Sequence, residues 1–334
     1  VQPLFLHPRD LDTEASHLFW ACEPDAALLD SLDRFGQMTP ALVLDAQGGR
    51  PVLAAGARRT VALRRIRGRL LAAVALEPAD WEPALAALPP ALRLGVLYLG
   101  SNCGRSVTDA MAVAAARYFT AHGSVDDFLA LAGPRLFPAG DRRAALVARW
   151  LALPASFDAL LASGNVPLGC AEALASCDGD TLAALTPLLG AMRWSRGTLA
   201  NALSWLAEAA GIAAETPAAM LGRSGALELL TRGLSPNDLA AGVLAALRRV
   251  RYPATTTLEA RFAALSRELA PAGSRVRITP SQGFEADAVG VAFTVRSPAE
   301  MQRAATDLAA MAAAPQLPRL LAVAHADDDE EEPA

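Results

Sequence analysis

A single glycine, Gly56, separates two patterns that belong to different kinds of element. Before it lies a short apolar run, Pro51-Val52-Leu53-Ala54-Ala55, which reads as a strand. After it lies a helix-like segment, Thr60 to Arg69, read as a helix over 60–68, and six arginines fall between Arg58 and Arg69 with no acid among them. A strand that must turn at a glycine into a helix commits this part of the chain to packed α/β layers. The same turn is how a backbone presents N–H groups to an anion. Glycine permits close approach, and the helix dipole and guanidinium forks favour phosphate. The basic count by itself describes a solvated helix face equally well.

Around this turn, residues 1 to about 100 read as mixed α/β. Asp25–Phe35 is a helix with Leu28, Leu29 and Leu32 on one side, stopped by Gly36. Ala41–Leu44 reads as a strand, Gln47-Gly48-Gly49 as a turn and Leu70–Leu76 as a third strand. From Ser101 to about Ile212 only helices are expected. They run over Val107–His122, over Val125–Ala132 with Ser124 as cap and Gly133-Pro134 as stop, and then from Asp141 to Pro154. Further short helices follow over Phe157–Ala162, with Ser156 as cap, then around Cys170–Cys177, 181–190 and 196–210. Beyond Gly211, Ser235-Pro236 opens a helix with the stripe Leu239, Val243, Leu247 and Val250. Leu258, Phe262, Leu265 and Leu269 mark another helix, Arg275–Ile278 and Val289–Val295 alternate like strands, and Ser297-Pro298 opens a last helix to about Met311. The expected fold class is therefore α+β: an N-terminal α/β domain over 1–100, a central all-α domain over 101–212, a small C-terminal α+β unit over 213–320 and a disordered acidic tail over 321–334.

Composition narrows the function classes. No run of eighteen apolar residues exists, because Pro89-Pro90 and Pro187 break the longest candidates, so no membrane span is expected. Arg9, Asp10, Asp12 and Glu14 stand where a signal peptide would be apolar, which gives a cytoplasmic expectation. The four cysteines (22, 103, 170, 177) and four histidines (7, 17, 122, 325) lack paired ligand spacing, which argues against a zinc centre or a disulfide scaffold. All 30 basic residues are arginine, and the net charge of −5 comes largely from Asp327 to Glu332, without which the chain is at +1.

Four motifs occur in one order. Leu29-Asp30-Ser31-Leu32 precedes Gly36-Gln37-Met38-Thr39-Pro40, then Ala41-Leu42-Val43-Leu44, then Gly56-Ala57-Arg58-Arg59. Ser101-Asn102-Cys103-Gly104-Arg105 follows, and later Trp150-Leu151-Ala152-Leu153-Pro154 and Leu160 to Leu174. Over roughly residues 1–210 this resembles ParB partition proteins, whose pattern is a helix, G-x-x-x-P, an apolar strand, G-E-R-R, then E-N-x-Q-R and a helix-turn-helix core. The resemblance implies a ParB/sulfiredoxin-like N-terminal domain that binds CTP with Mg2+. Gly36, Gln37, Thr39 and Pro40 would lie near the base and sugar, Gly56, Arg58 and Arg59 would hold the triphosphate, Asn102 would sit at the metal and Arg105 at a phosphate. The departures are Ala57 and Ser101 in place of the family's glutamates and Gly104 in place of its glutamine. They imply a weakened metal site and, at most, slow CTP hydrolysis. The family's sulfiredoxin-type chemistry needs a cysteine in this turn, and Ala57 stands in the neighbouring slot.

The resemblance also implies DNA as a partner, a partition ATPase as a further one, and a homodimer formed through the C-terminal unit, with the face of Val291, Phe293 and Val295 as candidate contact or private core. Val125–Ala132 would be the first helix of a helix-turn-helix and Arg142–Ala152 the recognition helix, with Arg142, Arg143 and Arg149 reaching the DNA. The charge count opposes this reading. Ser124–Ala210 carries six arginines and eight acids, a net of −2, although phosphate neutralisation supplies most DNA affinity. The link from Gly133 to Gly140 is also long for such a turn. Two functions remain: a CTP-binding, DNA-binding partition protein, or a nucleotide-binding adaptor that has lost sequence-specific DNA binding and CTP hydrolysis.

Overall fold

The computed structural model describes residues 4–44, 50–77, 79, 81–284, 286 and 288–323. The expected turn at Gln47-Gly48-Gly49 and the acidic run Asp327 to Glu332 lie outside the described residues. The chain forms two compact units, Val1–Ala200 and Asn201–Ala334.

The first unit opens with a sheet. Strands β1 (Leu4–Leu6), β2 (Ala41–Leu44), β3 (Val52–Ala55) and β4 (Leu71–Leu76) lie in the order β1-β4-β2-β3. β2 and β3 are antiparallel, with a register shift between Leu42 and Val43, whereas β2 and β4 are parallel, with Ala41 opposite Ala73. A parallel pair needs a crossover, and helix α2 (Ala57–Arg65) supplies it between β3 and β4. Alternation on β2 buries Ala41 and Val43 completely. Helix α1 (Ala26–Phe35) is capped by the Asp25 carboxylate, which accepts from Leu28 N–H at 2.8 Å, and ends at Gly36 with φ 74°.

α2 starts at Ala57 and stops at Arg65, earlier at both ends than the 60–68 helix expected from sequence. Gly56 takes φ 108° and turns the chain into the helix at once, and Ile66 then returns to extended backbone before Gly68 at φ 73°. Two short helices not read from the sequence follow, α3 (Pro83–Ala86) and α4 (Pro90–Gly100). The double proline that breaks the apolar run serves at the start of α4, where a missing N–H costs nothing.

Helix α5 (Asp109–His122), capped by Thr108, is the spine of the helical part. Ser124 and Asp127 form a capping box at α6 (Val125–Asp127), whose helix runs on through a π turn, Phe128–Ala132, into α7 (Gly133–Leu136). Gly133-Pro134 therefore does not end this helix. Gly133 N–H bonds back to Phe128 C=O, and Pro134 occupies the first turn of α7. α8 (Arg143–Trp150) follows after the connection 137–142, which begins later than the expected Gly133–Gly140 link and is still long for a helix-turn-helix turn. α9 (Asp158–Ala162) is entered through a 3₁₀ turn at Ala155–Phe157 that contains Ser156, so Ser156 is not its cap. α10 (Ala171–Ala175) and α11 (Gly179–Ala191) come next, and α11 passes straight through Pro187.

A half-buried network locks these pieces. Asp158 accepts from Arg117 at 3.0 and 3.1 Å and from Trp150 Nε1 at 2.9 Å. Arg117 also donates to Leu151 and Leu153 carbonyls at 3.1 and 2.8 Å. Five hydrogen bonds thus tie α5 to the end of α8 and the start of α9. Trp150, Phe119 and Phe128 are fully buried beside it.

α12 spans Arg196–Ala213. Within the second unit, α13 (Pro217–Arg223), α14 (Pro236–Arg251) and α15 (Pro253–Leu269) precede strands β5 (Arg277–Pro280) and β6 (Val289–Ala292), which pair antiparallel. α16 (Pro298–Ala313) and α17 (Gln316–Leu321) follow. Phe262, Leu265, Leu269, Val276, Met311, Leu320 and Val323 form this core, with Phe293 packed against it. Of the face proposed for pairing, Val291 is exposed at 45%, while Phe293 serves the unit's own core. No described helix is long and apolar enough to cross a membrane.

Candidate functional site

Where β3 turns at Gly56 into α2, a cleft of about 650 Å³ opens. Its walls come from the segment before α1, the Thr39-Pro40 loop, the Gly56–Arg59 turn and the region from the end of α4 to Arg105. Thr39, Pro40, Gly56, Arg58, Arg59, Asn102 and Arg105, seven of the residues singled out from sequence, line it together. Ala57 and Ser101, the positions that lack the family's carboxylates, line it too.

Gly36 and Gln37 are not among the residues that line the cleft. Gln37 is turned onto the sheet: its amide accepts from Ala72 N–H at 2.8 Å and donates to Ala72 C=O at 2.7 Å, and it also donates to Thr39 C=O. One side chain thereby pairs with β4 as a strand residue would and fixes the loop that carries Thr39 and Pro40.

The turn itself is tightly built. A Cβ on Gly56 would lie 2.9 Å from Ala41 Cβ and 3.3 Å from Arg59 Nη2, and its φ of 108° disfavours any side chain. No side chain caps α2, whereas Asp25 caps α1 and Thr108 caps α5. The first N–H groups of α2, at Ala57, Arg58 and Arg59, sit where the helix dipole is positive.

The arginines at this turn have few partners. Arg58 Nη2 donates to Asp25 Oδ2 at 2.8 Å, and Arg59 Nη2 reaches only the Pro40 carbonyl, at 3.3 Å. The Nε atoms of both are buried without a hydrogen-bond partner. Burial lowers the pKa of Arg59, with no carboxylate paired to it among the described residues. An unmet charged donor costs on the order of 1–3 kcal/mol, so the turn carries a standing demand for an anion. Asp25 accepts from Leu28 N–H and then from Arg58, which together hold its carboxyl below its ordinary pKa.

On the opposite wall, Ser101 Oγ and Asn102 Nδ2 both donate to the Tyr98 carbonyl at 2.8 Å, closing the C-terminal end of α4. Arg105 is exposed. Tyr98 is buried, and that burial raises its pKa. Trp20, Leu28, Leu42 and Tyr98 also line the cleft and were not singled out from sequence. Tyr98 stands one helical turn before Ser101 and Asn102, so spacing points to it; Trp20 lies in an irregular segment that gives no such signal.

Among the described residues the lining holds three arginines and no aspartate or glutamate. Its oxygen donors are the Asn102 amide and the Ser101 and Thr39 hydroxyls, and Ser101 Oγ already accepts from Asn102 Nδ2 at 3.1 Å. Protein-held Mg2+ takes one or two carboxylates besides phosphate and water. The donor set therefore does not fit a metal centre, and among the described residues no cluster of three His, Cys, Asp or Glu side chains is placed to hold a metal.

The residues expected to read DNA are differently situated. Arg142 and Arg149 are exposed. Arg143 bonds Asp141 at 2.8 Å, reaches Asp109 at 3.6 Å and lies over the Phe137 ring.

No protein-family model matches the chain. No curated protein matches it either. Among solved structures, the C-terminally truncated chromosome-partitioning protein ParB from Caulobacter crescentus, complexed with CTP-gamma-S, is similar over 57% of this chain and 99% of its own, with 17% identity and a TM-score of 0.25. A superposition that loose assigns no residue role to the present chain.

Proposed function

We propose that the cleft at the start of α2 binds the phosphate groups of a nucleotide, and that the chain is a ParB-like nucleotide-binding protein. The observation that carries this reading is the acid-free lining in which two guanidinium Nε atoms are buried without partners beside an uncapped helix start. That combination demands an anion with several oxygens, and phosphate meets guanidinium forks and backbone N–H groups with matching geometry. CTP is the nucleotide that the motif resemblance implies. In the partition form of this reading, DNA meets Arg142 and Arg149, and two chains pair through the second unit.

One observation favours the adaptor form instead. Arg143, at the start of the expected recognition helix, is spent on Asp141 and Asp109. The Ser124–Ala210 segment keeps its net charge of −2. The nucleotide reading is tested by calorimetric titration of CTP, GTP, UTP and ATP into the chain and into an Arg59→Ala variant. Saturable binding lost in the variant supports it; no heat with any nucleotide refutes it. A gel shift on genomic fragments at stated salt, with and without CTP, separates the two forms, since a sequence-specific shift removes the adaptor form.

A further inference from the structure

We infer that the cleft takes its polyphosphate ligand free of divalent metal, with guanidinium groups and helix N–H groups supplying all the positive charge. The inference rests on the nucleotide reading and deepens it. In millimolar Mg2+ a nucleoside triphosphate is held largely as a magnesium complex, so a protein that binds it must either keep the metal or strip it. A protein that keeps the metal usually adds one or two carboxylates to the phosphates and waters around it. Among the described residues none line this cleft. The nearest acid described, Asp25, is already bonded to Leu28 N–H and to Arg58.

The residues at the expected metal position are also committed elsewhere. Asn102 sends its amide nitrogen to Tyr98 C=O and to Ser101 Oγ, and Ser101 donates to the same carbonyl. What remains of these two residues is the Asn102 amide oxygen and one lone pair of Ser101 Oγ, both neutral, with no carboxylate to offset a divalent charge. By contrast, Arg58, Arg59 and Arg105 bring three permanent charges, and the α2 start adds dipole. Mg2+ on the phosphates would set a divalent cation against those guanidinium groups and occupy the oxygens they need. The chemical class of ligand is therefore an uncomplexed nucleoside di- or triphosphate, and Mg2+ acts as a competitor for it.

The experiment is titration of the full chain with CTP and, separately, with inorganic tripolyphosphate. Each is run in EDTA and in millimolar Mg2+ at matched ionic strength, because these charges are screened by salt. The expected result is tighter binding in EDTA, with Mg2+ weakening both ligands by about threefold or more as it removes the free form. A tenfold or greater loss of affinity on adding EDTA overturns the inference while leaving the nucleotide reading intact. No binding of either ligand in either buffer overturns both. Tripolyphosphate binding without CTP binding upholds the metal-free site and removes the nucleoside from the reading.

Discussion

Replacing Arg59 by methionine separates the two roles a half-buried arginine can have, structural brace or ligand anchor. In the structure Arg59 makes one long hydrogen bond, 3.3 Å to Pro40 C=O, and buries an Nε with no partner. Losing the hydrogen bond costs about 1 kcal/mol, and removing the unmet donor returns about 1–3 kcal/mol. Methionine retains much of the apolar contact of the stem. The net expectation for Arg59→Met is a stability change between zero and a gain of about 2 kcal/mol. In a unit of this size 1 kcal/mol moves Tm by about 2–4 °C. The ligand response should change in the opposite direction. At a hundredfold excess over Kd a ligand stabilises by about 2.7 kcal/mol, so tripolyphosphate should raise the wild-type Tm by about 5–10 °C and leave the variant where it was. Thermal and urea unfolding followed by tryptophan fluorescence read both numbers, since Trp20 lines the cleft. A variant destabilised by more than about 1 kcal/mol refutes the reasoning, because Arg59 would then be holding the fold.

The remaining expectations concern other parts of the molecule. Gly56→Ala should destabilise the first unit by about 2 kcal/mol or more, through the left-handed φ and the 2.9 Å approach to Ala41, and should abolish polyphosphate binding; a variant with wild-type Tm removes the argument for a tight turn. Asp158→Ala should cost about 2–4 kcal/mol by taking the carboxylate from Arg117, which keeps only its two carbonyl bonds, and by leaving Trp150 Nε1 unpaired in a half-buried site, measured by urea midpoint; a loss under about 0.5 kcal/mol shows the network idle. His17, buried and bonded through Nε2 to Leu53 C=O at 2.7 Å, has its pKa pushed below 6.5 by burial. Its unfolded form therefore takes up a proton first, so its contribution to stability is complete above pH 6.5 and falls as the pH drops below that value. His17→Phe should flatten that slope of unfolding free energy between pH 7 and 5; an unchanged slope assigns it to other groups. With CTP, phosphate release should stay at background over hours, because none of the described residues lining the cleft offers a carboxylate to position a water; steady turnover contradicts the geometry.

Much of this site was legible because its residues carry conformational signatures. Gly56 marks a left-handed turn, and the apolar run before it marks β3. The misreadings have physical causes. The 60–68 helix was placed late because arginine signals a helix interior no better than a helix start, and only φ 108° at Gly56 shows that the turn takes a single residue. Gly133-Pro134 read as a stop because proline removes an N–H, yet a π turn shifted the hydrogen-bond ladder so that none was needed there. β1 contributes only three residues, Leu4–Leu6, and three residues are too few for a period to be recognised. The motif resemblance implies Gln37 near a base and sugar, whereas its amide is bonded to β4 and it is not among the described residues that line the cleft. Its hydrogen bonds to Ala72 depend on a strand thirty-five positions away, which local pattern does not encode.

That Gln37 clamp decides where the entropy of binding falls. The Thr39-Pro40 loop is held to β4, and the Gly56–Arg59 turn is wedged against Ala41, so one wall has given up its conformational freedom during folding. Arg105 stands exposed on the facing wall and keeps its rotamers until a ligand arrives. Immobilising such a side chain costs about 0.5–1.5 kcal/mol. On the proposed reading a ligand would meet one wall already preorganised, and Arg105 would be the side chain left to order on binding.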